Sequence, residues 1–195
     1  MGKQHKKVII AIPCQDTIKS RTAFSLVHAS LNASLSLTCE IDMLLRMGCD
    51  LIGARNGLVK EAIARKGTHI LFVDSDMYFP PDAIKKLVEQ DRDIVGASYN
   101  FRSLPLKSTA FPLDKIDPVT ADEPFKCEAL GTGFLLIKLS VFDKIPAPWF
   151  QFARGADQEM VYGEDVWFCK QAVKAGYEIW ADPTIGIKHC GEYLF

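Results

Sequence analysis

The chain has 195 residues, 48% of them apolar and 24% charged, with a formal net charge of −1. That is enough apolar material for one ordinary core and leaves little room for a second, so a single domain over 1–195 is expected. Near-neutral charge gives no global attraction to nucleic acid or an anionic membrane. No apolar run approaches the roughly 20 residues that span a bilayer, so stable membrane insertion is not expected.

The chain opens on Lys3, His5, Lys6 and Lys7, read as a flexible, solvated basic terminus over 1–7. The apolar run 8–12 follows and ends at Pro13; it is too short for a secretory leader and suits a buried strand. A helix is expected over 22–35, with Ala23, Leu26, Val27 and Leu31 near helical spacing, then a strand over 37–41. A second helix is expected over 56–65, with Leu58, Val59, Ala62 and Ile63 on one face and Gly67 as its left-handed cap. The clearest buried strand is 68–73. Asp74-Ser75-Asp76 comes next, and Pro80-Pro81 then opens a helix carrying Ile84, Leu87 and Val88. A strand over 93–98 precedes an irregular, proline-rich insert at 100–125. A strand over 133–137, a helix over 164–174 ended by Gly176, and a strand over 177–181 complete the chain. Alternating strands and helices of this kind predict an α/β domain with a mostly parallel, Rossmann-like sheet and helices on both faces. Cys14, Cys39, Cys49, Cys127, Cys169 and Cys190 form no C-x-x-C pair and no zinc spacing, which points to a reducing cytoplasm.

Asp74, Ser75 and Asp76 lie just beyond the carboxyl end of a buried strand, the edge at which open α/β sheets bind ligands. Two carboxylates so close are costly unless a cation or hydrogen-bond donors compensate them. A hard divalent ion, Mn²⁺ or Mg²⁺, takes oxygen ligands and keeps a substrate diphosphate in its shell. One carboxylate would hold the ion and the other its water or a ribose hydroxyl; capping the next helix is the alternative reading of the pair. A second acidic pair, Glu164-Asp165, follows Gly163 at a helix start. The helix dipole favours acids there, and a carboxylate at such a place is also a suitable general base. The preceding loop, 155–162, is expected to be able to close over a substrate. His189, late in the chain, is a candidate imidazole for a Mn²⁺ shell. Trp149, Phe150 and Trp167 are read as core before sugar-stacking platforms.

Taken in order, several short stretches resemble the GT-A glycosyltransferases, above all the inverting family 2 type and its small bacterial and phage-borne relatives. They are Ile10-Ala11-Ile12-Pro13, Ala54-Arg55-Asn56, Phe72-Val73-Asp74-Ser75-Asp76-Met77, Gly131-Thr132-Gly133-Phe134, Gly163-Glu164-Asp165-Val166-Trp167-Phe168 and Lys188-His189. The resemblance implies a GT-A fold and transfer of a sugar from a UDP- or GDP-sugar to a hydroxyl acceptor. It implies that Pro13 and Gln15 lie at the nucleotide base, and that Arg55 with Asn56 or Lys60 contacts the base or diphosphate. By the same resemblance Asp74 and Ser75 line the ribose side, Asp74 and Asp76 are the acidic metal-site residues, and His189 is a metal ligand. Asp165 would be the base, and Glu164 would bind a sugar hydroxyl. The acceptor stays open among a glycan, a lipid-linked sugar, a protein side chain and a modified nucleic-acid base. A retaining transferase, a sugar-phosphate nucleotidyltransferase and a non-catalytic nucleotide-sugar-binding module are the alternatives; the absence of glycine from 13–21 counts against the nucleotidyltransferase.

Overall fold

The protein is described by a computed structural model over residues 5–37, 39–101, 106–155 and 159–191. In chain order the elements are β1 (Lys7–Cys14), α1 (Ser20–Leu37), β2 (Glu40–Met47), α2 (Leu51–Ala64), β3 (His69–Val73), β4 (Met77–Tyr78), α3 (Ala83–Glu89), β5 (Ile94–Ala97), β6 (Ala110–Pro112), β7 (Phe125–Leu130), β8 (Phe134–Lys138), β9 (Ala153–Arg154), β10 (Met160–Tyr162), α4 (Glu164–Lys174), β11 (Ile179–Asp182) and β12 (Lys188–His189). Eight strands form one sheet in the order β2-β1-β3-β8-β5-β11-β7-β6. β1 runs parallel to β2 and β3, and β5 parallel to β11, whereas β8 and β7 run against their neighbours. The sheet is therefore mixed, with a parallel half built from the first three strands.

Alternation along the strands separates two apolar layers. Val8, Ile10 and Ile12 of β1 and Leu71 and Val73 of β3 pack with Leu26, Ala29 and Ala33 of α1 and Ile84 and Leu87 of α3. Ile9, Ala11, Ile70 and Phe72 face the opposite layer, with Leu58, Val59 and Ala62 of α2 and Phe168, Cys169 and Ala172 of α4. Both faces are covered, which is why β1 and β3 read as continuous apolar runs.

The structure revises several local expectations. α1 buries Thr22, Ser25, Leu26, Ala29 and Ala33, whereas Val27 and Leu31 are 58% and 57% exposed. Small side chains set the helix close to the sheet, and the Ser25 hydroxyl accepts a hydrogen bond from the Phe79 amide at 3.1 Å. α2 begins at Leu51, not at Asn56. Asp50 caps it through the Gly53 amide at 2.9 Å, and Gly53 and Gly57 leave room for the Asp50 carboxylate and the Arg46 guanidinium. Ile63 of this helix is exposed. The left-handed residue after α2 is Lys66, with φ 57°. Gly67 is required for another reason: a Cβ there would lie 2.6 Å from the Ile9 side chain. Pro80-Pro81 stand ahead of α3, which starts at Ala83. The expected insert carries β6 and leads into β7, and residues 102–105 lie outside the described part. Of the loop expected over 155–162, residues 160–162 form β10, which pairs antiparallel with β9, and 156–158 lie outside the described residues. At the start of the chain Lys7 opens β1 and pairs with Glu40 at 2.6 Å, and Lys6 bonds Asp91 at 3.2 Å, so neither belongs to a free solvated run.

Candidate active site

Parallel β1 and β3 end side by side, and the residues after them define the site. Pro13 is buried near the end of β1, and the exposed Gln15 lies just beyond, its amide 3.6 Å from the Cys49 thiol. After β3 the Asp74 amide bonds the Gly133 carbonyl at 3.0 Å, and the Ser75 carbonyl accepts from the Lys19 amide at 2.9 Å. The acidic turn is thus clamped from both sides.

Its second clamp comes from the far end of the chain. β4 pairs antiparallel with β12, setting His189 opposite Met77, and the Cys190 amide donates to the Asp76 carbonyl at 2.7 Å. His189 Nδ1 lies 2.8 Å from the Asn100 carbonyl. A carbonyl only accepts, so Nδ1 carries a proton, and in the neutral ring that leaves the lone pair on Nε2. The ring also stands edge-on to Tyr99, with centroids 4.9 Å apart. A backbone carbonyl that orients a histidine in this way is the usual outer support of a metal-binding imidazole.

Arg55 joins the two acidic pairs. Only 2% exposed, it reaches from α2 to Asp74 through Nη2 at 3.1 Å and to Glu164 through Nε at 3.4 Å. Its guanidinium carbon lies 5.5 Å from the centroid of the Phe72 ring, and Nε and Nη1 make no hydrogen bond among the described residues. One buried cation therefore serves two carboxylates. Burial raises the Glu164 pKa, and the Arg55 charge opposes that rise without cancelling it. Arg55 lies inside α2 and not in a loop before it, and its side chain runs inward to the two carboxylates.

Asp165 stands in the first turn of α4, half-buried. Its Oδ1 accepts from the Val166 amide at 2.7 Å, so the capping role expected of an acid at this place is real. Asn56 turns away from the site: its Nδ2 donates to the carbonyls of Ile52 and Phe150, and its Oδ1 accepts from the amides of Trp149 and Phe150. It fastens the 149–150 segment and has no capacity left for a nucleotide. Lys60, five residues after Arg55, is exposed on another side of α2. Trp149 and Phe150 are core.

Tyr99 was not anticipated from the sequence. It is buried, and its hydroxyl accepts from the Gly133 amide at 2.8 Å. A Cβ on Gly133 would lie 2.4 Å from that hydroxyl and 3.1 Å from Asp74 Oδ2. Burial, then the Asp74 charge, raise the Tyr99 pKa above its ordinary value, so the phenol stays protonated. The Gly131-Thr132-Gly133 motif was the available signal, since glycines there imply a close neighbour.

Among the described residues, no group of three or more His, Cys, Asp and Glu side chains gathers closely enough to hold a metal alone. The backbone pairing of β4 with β12 brings the chain at Asp76 next to that at His189, and two protein ligands are as many as an ion needs when a diphosphate and water complete its shell. Asp76 brings a hard oxygen donor, and His189 brings an oriented lone pair.

No protein family and no curated protein matches the chain by sequence. Solved structures do match. A197 from STIV superposes with a TM-score of 0.63 at 16% identity, over 96% of this chain and 86% of that one. TarS 1–349 from S. aureus superposes at 0.51 and 16% identity, over 94% of this chain and 60% of that longer one. An inositol-1-phosphate CTP transferase from T. maritima is more distant, at 0.48 and 12% identity. The fold is of the GT-A type. In this GT-A chain the acidic turn after β3, the glycine turn before β8 and the start of α4 converge around Arg55 at one edge of the sheet. Among the described residues, no helix is long and apolar enough to cross a membrane.

Proposed function

We propose that the protein is a metal-dependent glycosyltransferase that moves a sugar from a UDP- or GDP-sugar to a hydroxyl acceptor with inversion. The observation that carries this reading is the β4–β12 ladder, which sets the oriented imidazole of His189 against the turn bearing Asp76, with Asp165 next to the Arg55 partner Glu164 at the start of α4. A pure nucleotide-sugar binder would need no base at that last position.

Pro13 and Gln15 form the wall for the base, and Asp74, steadied by Arg55 and the Gly133 carbonyl, meets the ribose. Asp76 and His189 would hold a Mn²⁺ or Mg²⁺ ion, which when bound would supply positive charge to the departing diphosphate. Asp165 accepts the proton of the acceptor hydroxyl as that oxygen bonds to the anomeric carbon. The bond from the anomeric carbon to the diphosphate oxygen breaks, and its electron pair leaves with the nucleoside diphosphate. Glu164, buried against Arg55, serves the architecture of the site more than a sugar hydroxyl. Asn56 and Lys60 have no part in this scheme. A glycan or lipid-linked sugar is the favoured acceptor, since near-neutral charge gives no attraction to nucleic acid. Incubation with a panel of nucleotide sugars and Mn²⁺ should release nucleoside diphosphate slowly by donor hydrolysis, and EDTA should stop it. No release from any donor, or full release after exhaustive chelation, would count against the reading.

A further inference from the structure

The two edges of the eight-stranded sheet are built differently. At one, β6 has three residues, contains Pro112 and shifts register against β7, all devices that stop a sheet from growing. At the other, β2 runs eight residues in unbroken register with β1 and contains neither proline nor lysine. The amides of Glu40 and Gly48 point inward, to Lys6 and Cys14. By strand alternation, Ile41, Met43, Leu45 and Met47 therefore present their amides and carbonyls outward. The Met43 amide is held only by the Asp42 carboxylate beside it, at 2.7 Å. The side chains of Met43, Leu45 and Met47 are 43%, 50% and 61% exposed.

We infer that β2 is the seam of a two-fold dimer, in which it pairs antiparallel with β2 of a second copy of this chain about an axis at Leu44. The segment is self-complementary in that register. Met43 faces Leu45 of the second copy and Ile41 faces its Met47, in hydrogen-bonded pairs between outward-pointing residues; Leu44 faces itself in the non-hydrogen-bonded class. On the other face Asp42, which also pairs with Arg65 of its own chain at 3.1 Å, stands opposite Arg46 of the second copy, once on each side of the axis. Arg46 has no carboxylate partner among the described residues, and its guanidinium lies against Gly57. Opposite charges in directly facing positions favour this register, and a two-fold axis repeats the benefit. The carbonyl of Leu45 in the second copy replaces Asp42 at the Met43 amide. The result is one continuous sheet whose two candidate active sites open at opposite edges.

Sedimentation equilibrium of the full chain over a concentration series tests this. The wild type should be a monomer–dimer system. Leu45→Pro removes one outward amide and no bond to β1, so it should give a folded monomer by circular dichroism. Arg46→Asp and Asp42→Arg each put like charges face to face and should raise the dissociation constant about tenfold. The double variant Asp42→Arg/Arg46→Asp should bring it back toward the wild-type value, a rescue that loss of fold cannot imitate. A wild type that stays monomeric at every concentration would overturn the inference. So would a dimer indifferent to Arg46→Asp, or a double variant no tighter than its single parents.

Discussion

The two ends of the central strands carry ionic clusters of opposite design. At the amino end, near a cavity of about 500 Å³ lined in part by Lys6, His69, Asp91 and Lys138, two ammonium groups converge on Asp91, from Lys6 at 3.2 Å and Lys138 at 3.7 Å. The Asp91 side chain is 66% exposed, so water screens these pairs and each contributes little. At the carboxyl end two carboxylates, Asp74 and Glu164, converge on Arg55, whose side chain is 3% exposed. There Arg55 and Glu164 are desolvated, Asp74 is half-buried, and each charge depends on the others. The shared, largely desolvated charge distinguishes the carboxyl end, which is the end at which α/β sheets generally bind ligands.

The largest effect should come from Asp165→Asn, which keeps the shape of the side chain and its bond to the Val166 amide but cannot take a proton. Transfer should fall by about two to four orders of magnitude, with melting temperature and donor affinity little changed. Near-normal turnover would remove Asp165 as the base and make Glu164 the next residue to test. The ionic contrast itself is broken by two matched changes. Arg55→Met leaves the buried Glu164 and the half-buried Asp74 uncompensated and should cost about 3 kcal/mol of stability, whereas Asp91→Asn should cost no more than about 0.5 kcal/mol. Asparagine also tolerates the positive φ of 51° at position 91. Equal denaturant midpoints for the two variants would erase the distinction.

A smaller effect belongs to His69, buried at the amino end beside the Thr68 hydroxyl, 2.8 Å from Nδ1. Burial, then the charges of Lys6 and Lys138, push its pKa from 6.5 down to about 4. Below pH 6.5 the unfolded chain binds a proton that the folded chain refuses. Stability is therefore full above that pH and falls as pH drops toward 4. Between pH 6.5 and about pH 5 the loss should be about 2 kcal/mol. His69→Gln should flatten the profile in denaturant titrations at several pH values, and an unchanged slope would show that other groups set it.

The apolar strands 8–12 and 68–73, the acidic turn and α4 were legible because each is a local pattern. A strand buried on both faces reads as an unbroken apolar run, and an amphipathic helix as a period. What escaped depends on partners distant in the chain. β4 and β12 are two residues each, and nothing local marks Met77 and His189 as neighbours. Arg55 stands just ahead of the helix expected over 56–65, yet α2 begins at Leu51, and Gly53 and Gly57 make room for the Asp50 and Arg46 side chains around it. Asn56 looked like a ligand-binding amide and is a clamp on 149–150. Tyr99 carried no motif of its own, and only the glycines that accommodate it were visible.

The most direct test of the central claim is calorimetric titration of UDP- and GDP-sugars into the wild type and Asp76→Ala, each with Mn²⁺ and with EDTA. If Asp76 and His189 form the protein's share of a metal–diphosphate site, one donor should bind the wild type in Mn²⁺, and its affinity should fall about tenfold or more on chelation or on Asp76→Ala. Donor affinity that is the same in all four titrations would contradict it.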